Sequence, residues 1–244
     1  MKLNFINKAY MALGVLLVIA TLIRVLNYKG WERFYYASSV CAPGSYPVYI
    51  RELYFILPGK EMASFNDDDV KSFMSEWGKE HYFPEAYEKD RLPLKLVVNY
   101  ASYREQKFYN DTLDLDQQLL LETFRAAPKK DQEVELYDNK HGLTFLAGLA
   151  NDGQFILWLR GKNLEKVILK ARLAAREPTA DDTYINGGRV TKKQYLTTAF
   201  EDLNDSLKTV FKNGFDAGAN YIDTPTHYIR DNERFWKAGV NDPK

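Results

Sequence analysis

Leu143-Thr144-Phe145-Leu146-Ala147-Gly148-Leu149 and Gln154-Phe155-Ile156-Leu157-Trp158-Leu159-Arg160 flank the four residues Ala150-Asn151-Asp152-Gly153. The arrangement reads as a β-hairpin, with Asp152-Gly153 supplying the positive φ that a tight turn demands. Phe155, Leu157 and Leu159 alternate with Ile156, Trp158 and Arg160, so both faces of the second strand are largely apolar. A strand of that kind belongs in a sheet covered on each side.

Further strands are expected on both sides of this hairpin. Upstream, Trp31 to Ser38 reads as a strand, Cys41-Ala42-Pro43-Gly44-Ser45 as a turn, and Tyr46 to Leu57 as a long strand that Pro58-Gly59 ends. The faces marked by Val48, Ile50, Leu53 and Phe55 alternate imperfectly, which predicts a bulge. Leu94 to Tyr103 and Gln106 to Leu115 form a second hairpin, and Val134 to Tyr137 a short edge strand. Val167 to Ala175 reads as strand more readily than helix, because Val167-Ile168-Leu169 is rich in β-branched residues.

Helices are marked by their caps. Asn66-Asp67-Asp68-Asp69 precedes Val70, Phe73, Met74 and Trp77, apolar residues at helical spacing. The aspartates lack the alternation, glycine and distal glutamate of a calcium loop, so capping is the reading. Asp116 caps a helix whose stripe is Leu119, Leu120, Thr123 and Phe124, ended by Pro128. Thr191 caps a long helix reaching about Asn213 along Tyr195, Ala199, Leu203, Leu207 and Phe211, with Gly214 as its stop. From Phe215 to Lys244 the aromatics show no clear period. With no internal repeat and no Gly/Ser linker, residues 31–244 make one mainly antiparallel α+β domain.

Residues 1–30 differ in kind. Ala9 to Leu26 is apolar but for Arg24, and as a helix its 18 residues span roughly 27 Å, close to the thickness of a bilayer core. Leu16 lies inside this run and Ile23 near its end, while Tyr10, Tyr28 and Trp31 flank it as interfacial anchors do. Arg24 lies about one turn from the end, where its side chain can snorkel. No small-x-small cleavage site follows the run, and Cys41 lies too far beyond it for a lipobox. A cytoplasmic tail with an uncleaved transmembrane anchor is therefore expected over 1–30, with Ala9, Leu16, Ile23 and Leu26 in the membrane. The basic residues fall on both sides of the run, so the positive-inside rule does not orient it. A short tail before a large domain favours the inner membrane with residues 31–244 in the periplasm.

The chain has 244 residues, 45% of them hydrophobic, which excludes disorder. Net charge is zero, but residues 1–30 hold Lys2, Lys8, Arg24 and Lys29 with no acid, leaving 31–244 four charges negative. No basic stripe points to nucleic acid. One cysteine excludes an internal disulfide, and His81, His141 and His227 lack paired metal-ligand spacing. Cys41 sits in no nucleophile signature and reads as a buried thiol. His141 reads as a loop residue. Gly187-Gly188-Arg189 lacks the Gly-Lys-Ser/Thr of a phosphate loop and reads as a connection. No catalytic residue, metal ligand or cofactor is identified. Seventeen tyrosines and four tryptophans favour a protein-binding surface, at positions the sequence does not reveal.

Three segments carry a family resemblance: Ala42 to Val48; Leu92 to Leu96 with Tyr100 to Tyr109; and Gly148 to Gly153 with Trp158 to Gly161. In order and spacing they resemble the bacterial domain of unknown function 2931 family, over about Trp31 to Val167. The chain departs from the family's pattern in lacking a lipobox and in carrying Asn151-Asp152 where Pro-Gly is common. The resemblance implies an exported or membrane-anchored envelope protein, some members resembling immunity proteins for type VI secretion effectors, lipases among them. It transfers no catalytic residue. The expected function is therefore a non-enzymatic periplasmic protein that binds a toxin or effector; the alternatives are an envelope enzyme with an unrecognised site, built on carboxylates or on Cys41 with a histidine, or a structural envelope component.

Overall fold

In the computed structural model the first hairpin is formed by Lys140–Leu149 and Gln154–Gly161, paired antiparallel from Phe155 opposite Leu149 to Arg160 opposite Thr144. The turn places both Asp152 and Gly153 at positive φ, 59° and 68°. At Gly153 a Cβ would lie 2.1 Å from the Leu173 carbonyl oxygen, so only glycine fits. The structure describes residues 4–81, 85–185, 187–213 and 216–238.

The described chain divides into two units, Met1–Arg33 and Phe34–Lys244. The first contains α1, Phe5–Tyr28, a helix of 24 residues, none of them buried. At about 1.5 Å per residue it is roughly 36 Å long, and it is long and apolar enough to cross a bilayer. Lys29 ends it in the left-handed region, its N–H donating to the Val25 carbonyl. Arg33 closes over the Tyr28 ring at 4.4 Å and donates from Nε to the Tyr28 carbonyl.

The second unit is built on two sheets. Its strands are β1 Tyr36–Cys41, β2 Val48–Ile56, β3 Met62–Ser64, β4 Lys95–Ser102, β5 Phe108–Asp114, β6 Val134–Tyr137, β7 Lys140–Leu149, β8 Gln154–Gly161 and β9 Leu164–Arg172. One sheet has the order β9-β8-β7-β1, antiparallel except for the parallel β1/β7 pair, and β6 extends it at the start of β7. The other is antiparallel in the order β5-β4-β2-β3, with Ala175–Arg176 added beside β5. The expected bulge lies in β2, where the register with β4 shifts between Ile50 and Glu52.

Phe155, Leu157 and Leu159 point into the core between the sheets with Phe55, Leu96, Val98 and Phe145. Each such side chain contributes roughly 1.5–3 kcal/mol on burial. α3, Gln117–Ala126, closes one end of this core with Leu120 and Phe124, and the Asp116 side chain caps it by accepting from the Leu119 N–H. Ile156 and Trp158 face the other way, onto Cys41, Leu146 and Trp77. The inner strands β4, β7 and β8 are thus covered on both faces. Over the β4–β5 sheet the cover is α4, Lys192–Ala199, and α5, Asp205–Asn213, packed through Tyr195, Leu196, Phe200 and Phe211 on Ala101, Tyr103 and Phe108.

Several elements differ in extent from expectation. Strand begins properly at Tyr36 rather than Trp31, after the 3-10 turn Gly30–Glu32 and a two-residue strand Arg33–Phe34, and it runs through Cys41. The helix expected through Trp77 is only α2, Asp68–Lys71, because Phe73 turns left-handed at φ 57°. Asn66, not an aspartate, accepts at its start, from the Asp68 N–H. The long helix from Thr191 is broken at Phe200–Leu203, where both apolar side chains turn into the sheet. His141 lies at the start of β7 rather than in a loop, and Gly188–Arg189 pairs with Tyr184–Ile185. Gly214, the expected helix stop, and Phe215 lie outside the described residues. α6, Tyr228–Ala238, supplies a helix where no period was legible.

Candidate functional site

Residues of the three familiar segments meet at one end of the two sheets. Ser45 and Tyr46 precede β2, Arg104 and Glu105 form the β4–β5 turn, and Asn151 and Asp152 form the β7–β8 turn. The Glu105 carboxylate accepts from the Tyr46 hydroxyl at 2.6 Å, the Tyr109 hydroxyl, and the Asp152 N–H at 2.6 Å. Burial, with the neighbouring hydroxyls and Glu105, pushes the Tyr46 phenol well above its ordinary pKa. Asp216 accepts from Ser45, Arg104 and the Tyr221 hydroxyl. Burial opposes its charge, yet these donors together hold its carboxyl below the usual range. Asn151 donates to the carbonyls of Ala217 and Ala219. This cluster clasps three turns and the segment from Asp216 onward, while Oδ1 of Asn151 is buried without a hydrogen-bond partner among the described residues.

Arg160 forms the second cluster. Its side chain is fully buried on the outer face of β8, stacked 5.2 Å from Trp158 and 4.4 Å from Tyr228. Its Nη2 lies 2.7 Å from the Glu165 carboxylate, and Nη1 donates to the Gly78 carbonyl at 2.8 Å with Glu80 3.5 Å away. Thr144 donates to Glu80 and Thr226 to Glu165. Burial raises the Glu80 pKa although Arg160 and Thr144 draw it down. Cys41 is beside this cluster, its Sγ accepting from the Gly78 N–H at 3.3 Å. Burial pushes its thiol up to about 12, so it stays protonated and unreactive at neutral pH. The histidines stand apart, His81 3.3 Å from Asp69, His141 against the Asn139 carbonyl, and His227 before α6. Among the described residues no group of three or more His, Cys, Asp or Glu is placed to hold a metal ion.

Sequence reading missed a cleft of about 410 Å³ beside β1, between it and residues 80–81 and 85–90. Glu80, Glu85, Glu88 and Asp90 line it with His81 and Thr144, and no Lys or Arg does so among the described residues. At its mouth Tyr87 and Tyr137 stand 58% and 47% exposed, with ring centroids 5.1 Å apart. Lys140 donates to the Tyr87 carbonyl, and its Nζ lies about 6 Å from the rings of Tyr35, Tyr87 and Tyr137. The only sequence signal for this surface was the abundance of tyrosine.

The architecture is that of a mixed α+β, mainly antiparallel two-sheet domain following a long apolar helix. Residues 24–215 match the family described as protein of unknown function (DUF2931), and the chain belongs to that family. The match runs well beyond Val167, the expected limit of the resemblance, and ends one residue before Asp216. No curated protein and no solved structure matches the chain.

Proposed function

We propose that this protein is a membrane-tethered binding protein of the bacterial envelope that neutralises an incoming toxin. In this reading α1 stays uncleaved as a single-pass inner-membrane anchor, the domain from Phe34 lies in the periplasm, and the toxin is a type VI secretion effector, of which lipases are one class. The observation that carries the binding role is the exposed Tyr87–Tyr137 pair, steadied by Lys140 at the mouth of an acidic cleft. Tyrosines held in place lose little entropy on association and serve as interface anchors. Glu85 and Glu88 in the cleft suit a basic segment of the partner. Supporting the same reading, Cys41 and Arg160 are occupied in packing and pairing inside the domain. A tether raises the inhibitor's effective concentration at the membrane, where a lipase would act.

The test is expression of the effector encoded beside this gene, exported to the periplasm, in cells with and without the protein. Survival is expected only with it, and Tyr87→Ala/Tyr137→Ala at equal abundance should lose protection. Equal killing with and without the wild-type protein sinks the immunity role.

A further inference from the structure

The break between α4 and α5 leaves a groove of about 310 Å³ between them. Lys193 on α4 and Lys208 and Lys212 on α5 line it, above Tyr103, Leu196 and Phe200, which are buried in the core beneath. No carboxylate lines it among the described residues. Lys208 is engaged by Asp205 at 2.8 Å, whereas Lys193 and Lys212 have no carboxylate partner among the described residues. Two unpaired cations from two helices thus share one concave site. Both lysines are exposed, and an anion seated in the groove is attracted by each.

We propose that this groove binds a phosphate monoester. A phosphate monoester has a charge of about −2 near neutral pH, which balances the two unpaired ammonium groups; a single carboxylate balances only one. Lysine acts on phosphate as a point charge and needs no planar fork. The volume suits a small molecule. The same chemistry is offered by a soluble phosphate ester and by the headgroup of phosphatidic acid in a bilayer.

The full-length chain in nanodiscs of phosphatidylcholine is treated with an amine-acylating reagent, and modification of individual lysines is read by mass spectrometry. Phenyl phosphate, or phosphatidic acid included in the disc, is expected to protect Lys193 and Lys212 and to leave Lys162, which pairs with Asp131, unchanged. Protection by phenyl phosphate assigns the soluble source, and protection confined to phosphatidic acid assigns the lipid. In whichever arm protects, Lys193→Gln/Lys212→Gln should weaken binding at least about tenfold, followed by phosphorus NMR, with its unfolding curve retained. The proposal is overturned by protection in neither arm, by equal protection from benzoate, by unchanged affinity in the double variant, or by stronger protection from polyglutamate than from either phosphate probe.

Discussion

Arg160 shows how one residue can decide the integrity of a whole face. Its guanidinium is out of water, and the carboxylates of Glu165 and Glu80, the Gly78 carbonyl and two aromatic rings compensate it. Replacing it by alanine leaves the Glu165 and Glu80 carboxylates and the Gly78 carbonyl without their cation, and removing one partner of a buried pair costs about 3–5 kcal/mol. Arg160→Ala should therefore lower the denaturant midpoint sharply in urea unfolding. A loss no larger than that of an exposed substitution would contradict the pairing. Cys41 makes a pH prediction. Its folded pKa of about 12 lies above the roughly 8.5 of an unfolded thiol, so its contribution is complete below about pH 8.5 and is lost as pH rises toward the folded value. The buried tyrosines begin to add the same trend only above about pH 10. Between those values wild type should lose at most about 1.4 kcal/mol per pH unit, and Cys41→Ala, offset by its lost packing, should show a flatter slope.

At the scale of elements, the break after α4 rests on local chemistry that a four-residue spacing conceals. Asn204 accepts from the Ser206 N–H through Oδ1, and its carbonyl accepts from the Lys208 N–H, so a new helix starts there. Asn204→Ala should cost about 1 kcal/mol, the usual value of a cap. Thermal unfolding checks this, and no change would mean that packing alone sets the break. Asp116 and Thr191 were readable as caps because their partners lie three residues away, Leu119 and Gln194. The β7–β8 hairpin and the β2 bulge were readable because alternation is local. Phe73 and Trp77 misled because they keep helical spacing while Trp77 leaves to pack 5.3 Å from Trp158. The role of Asp216 was invisible, since Arg104 and Ser45 lie more than a hundred residues away in sequence. The acidic cleft and the lysine groove were hidden for the same reason: each gathers residues from separate elements.

For the whole molecule the decisive question is what α1 does, because the domain from Phe34 has its own cores and α1 buries none of its residues. Length and apolarity suit either a span or a signal sequence, and the proposed function requires the span. Leu16 lies near the middle of Phe5–Tyr28, and Ala9, Ile23 and Leu26 lie nearer its ends. An arginine at the centre of a spanning helix costs about 2.5–3.5 kcal/mol of insertion free energy, whereas near an end it snorkels. Leu16→Arg should therefore move a large share of the protein from the carbonate-resistant membrane fraction to the soluble one, while Leu26→Arg, beside the native Arg24, should stay membrane-bound. The wild-type chain should retain its N-terminal peptide in mass spectrometry of that fraction, and a C-terminal alkaline phosphatase fusion should be active. A wild-type protein that is soluble, or that has lost residues 1–30, would show that α1 is a signal sequence and remove the tether from the proposed mechanism. An inactive phosphatase fusion on a membrane-bound chain would instead place the domain in the cytoplasm, where the acidic cleft would never meet a toxin delivered to the periplasm.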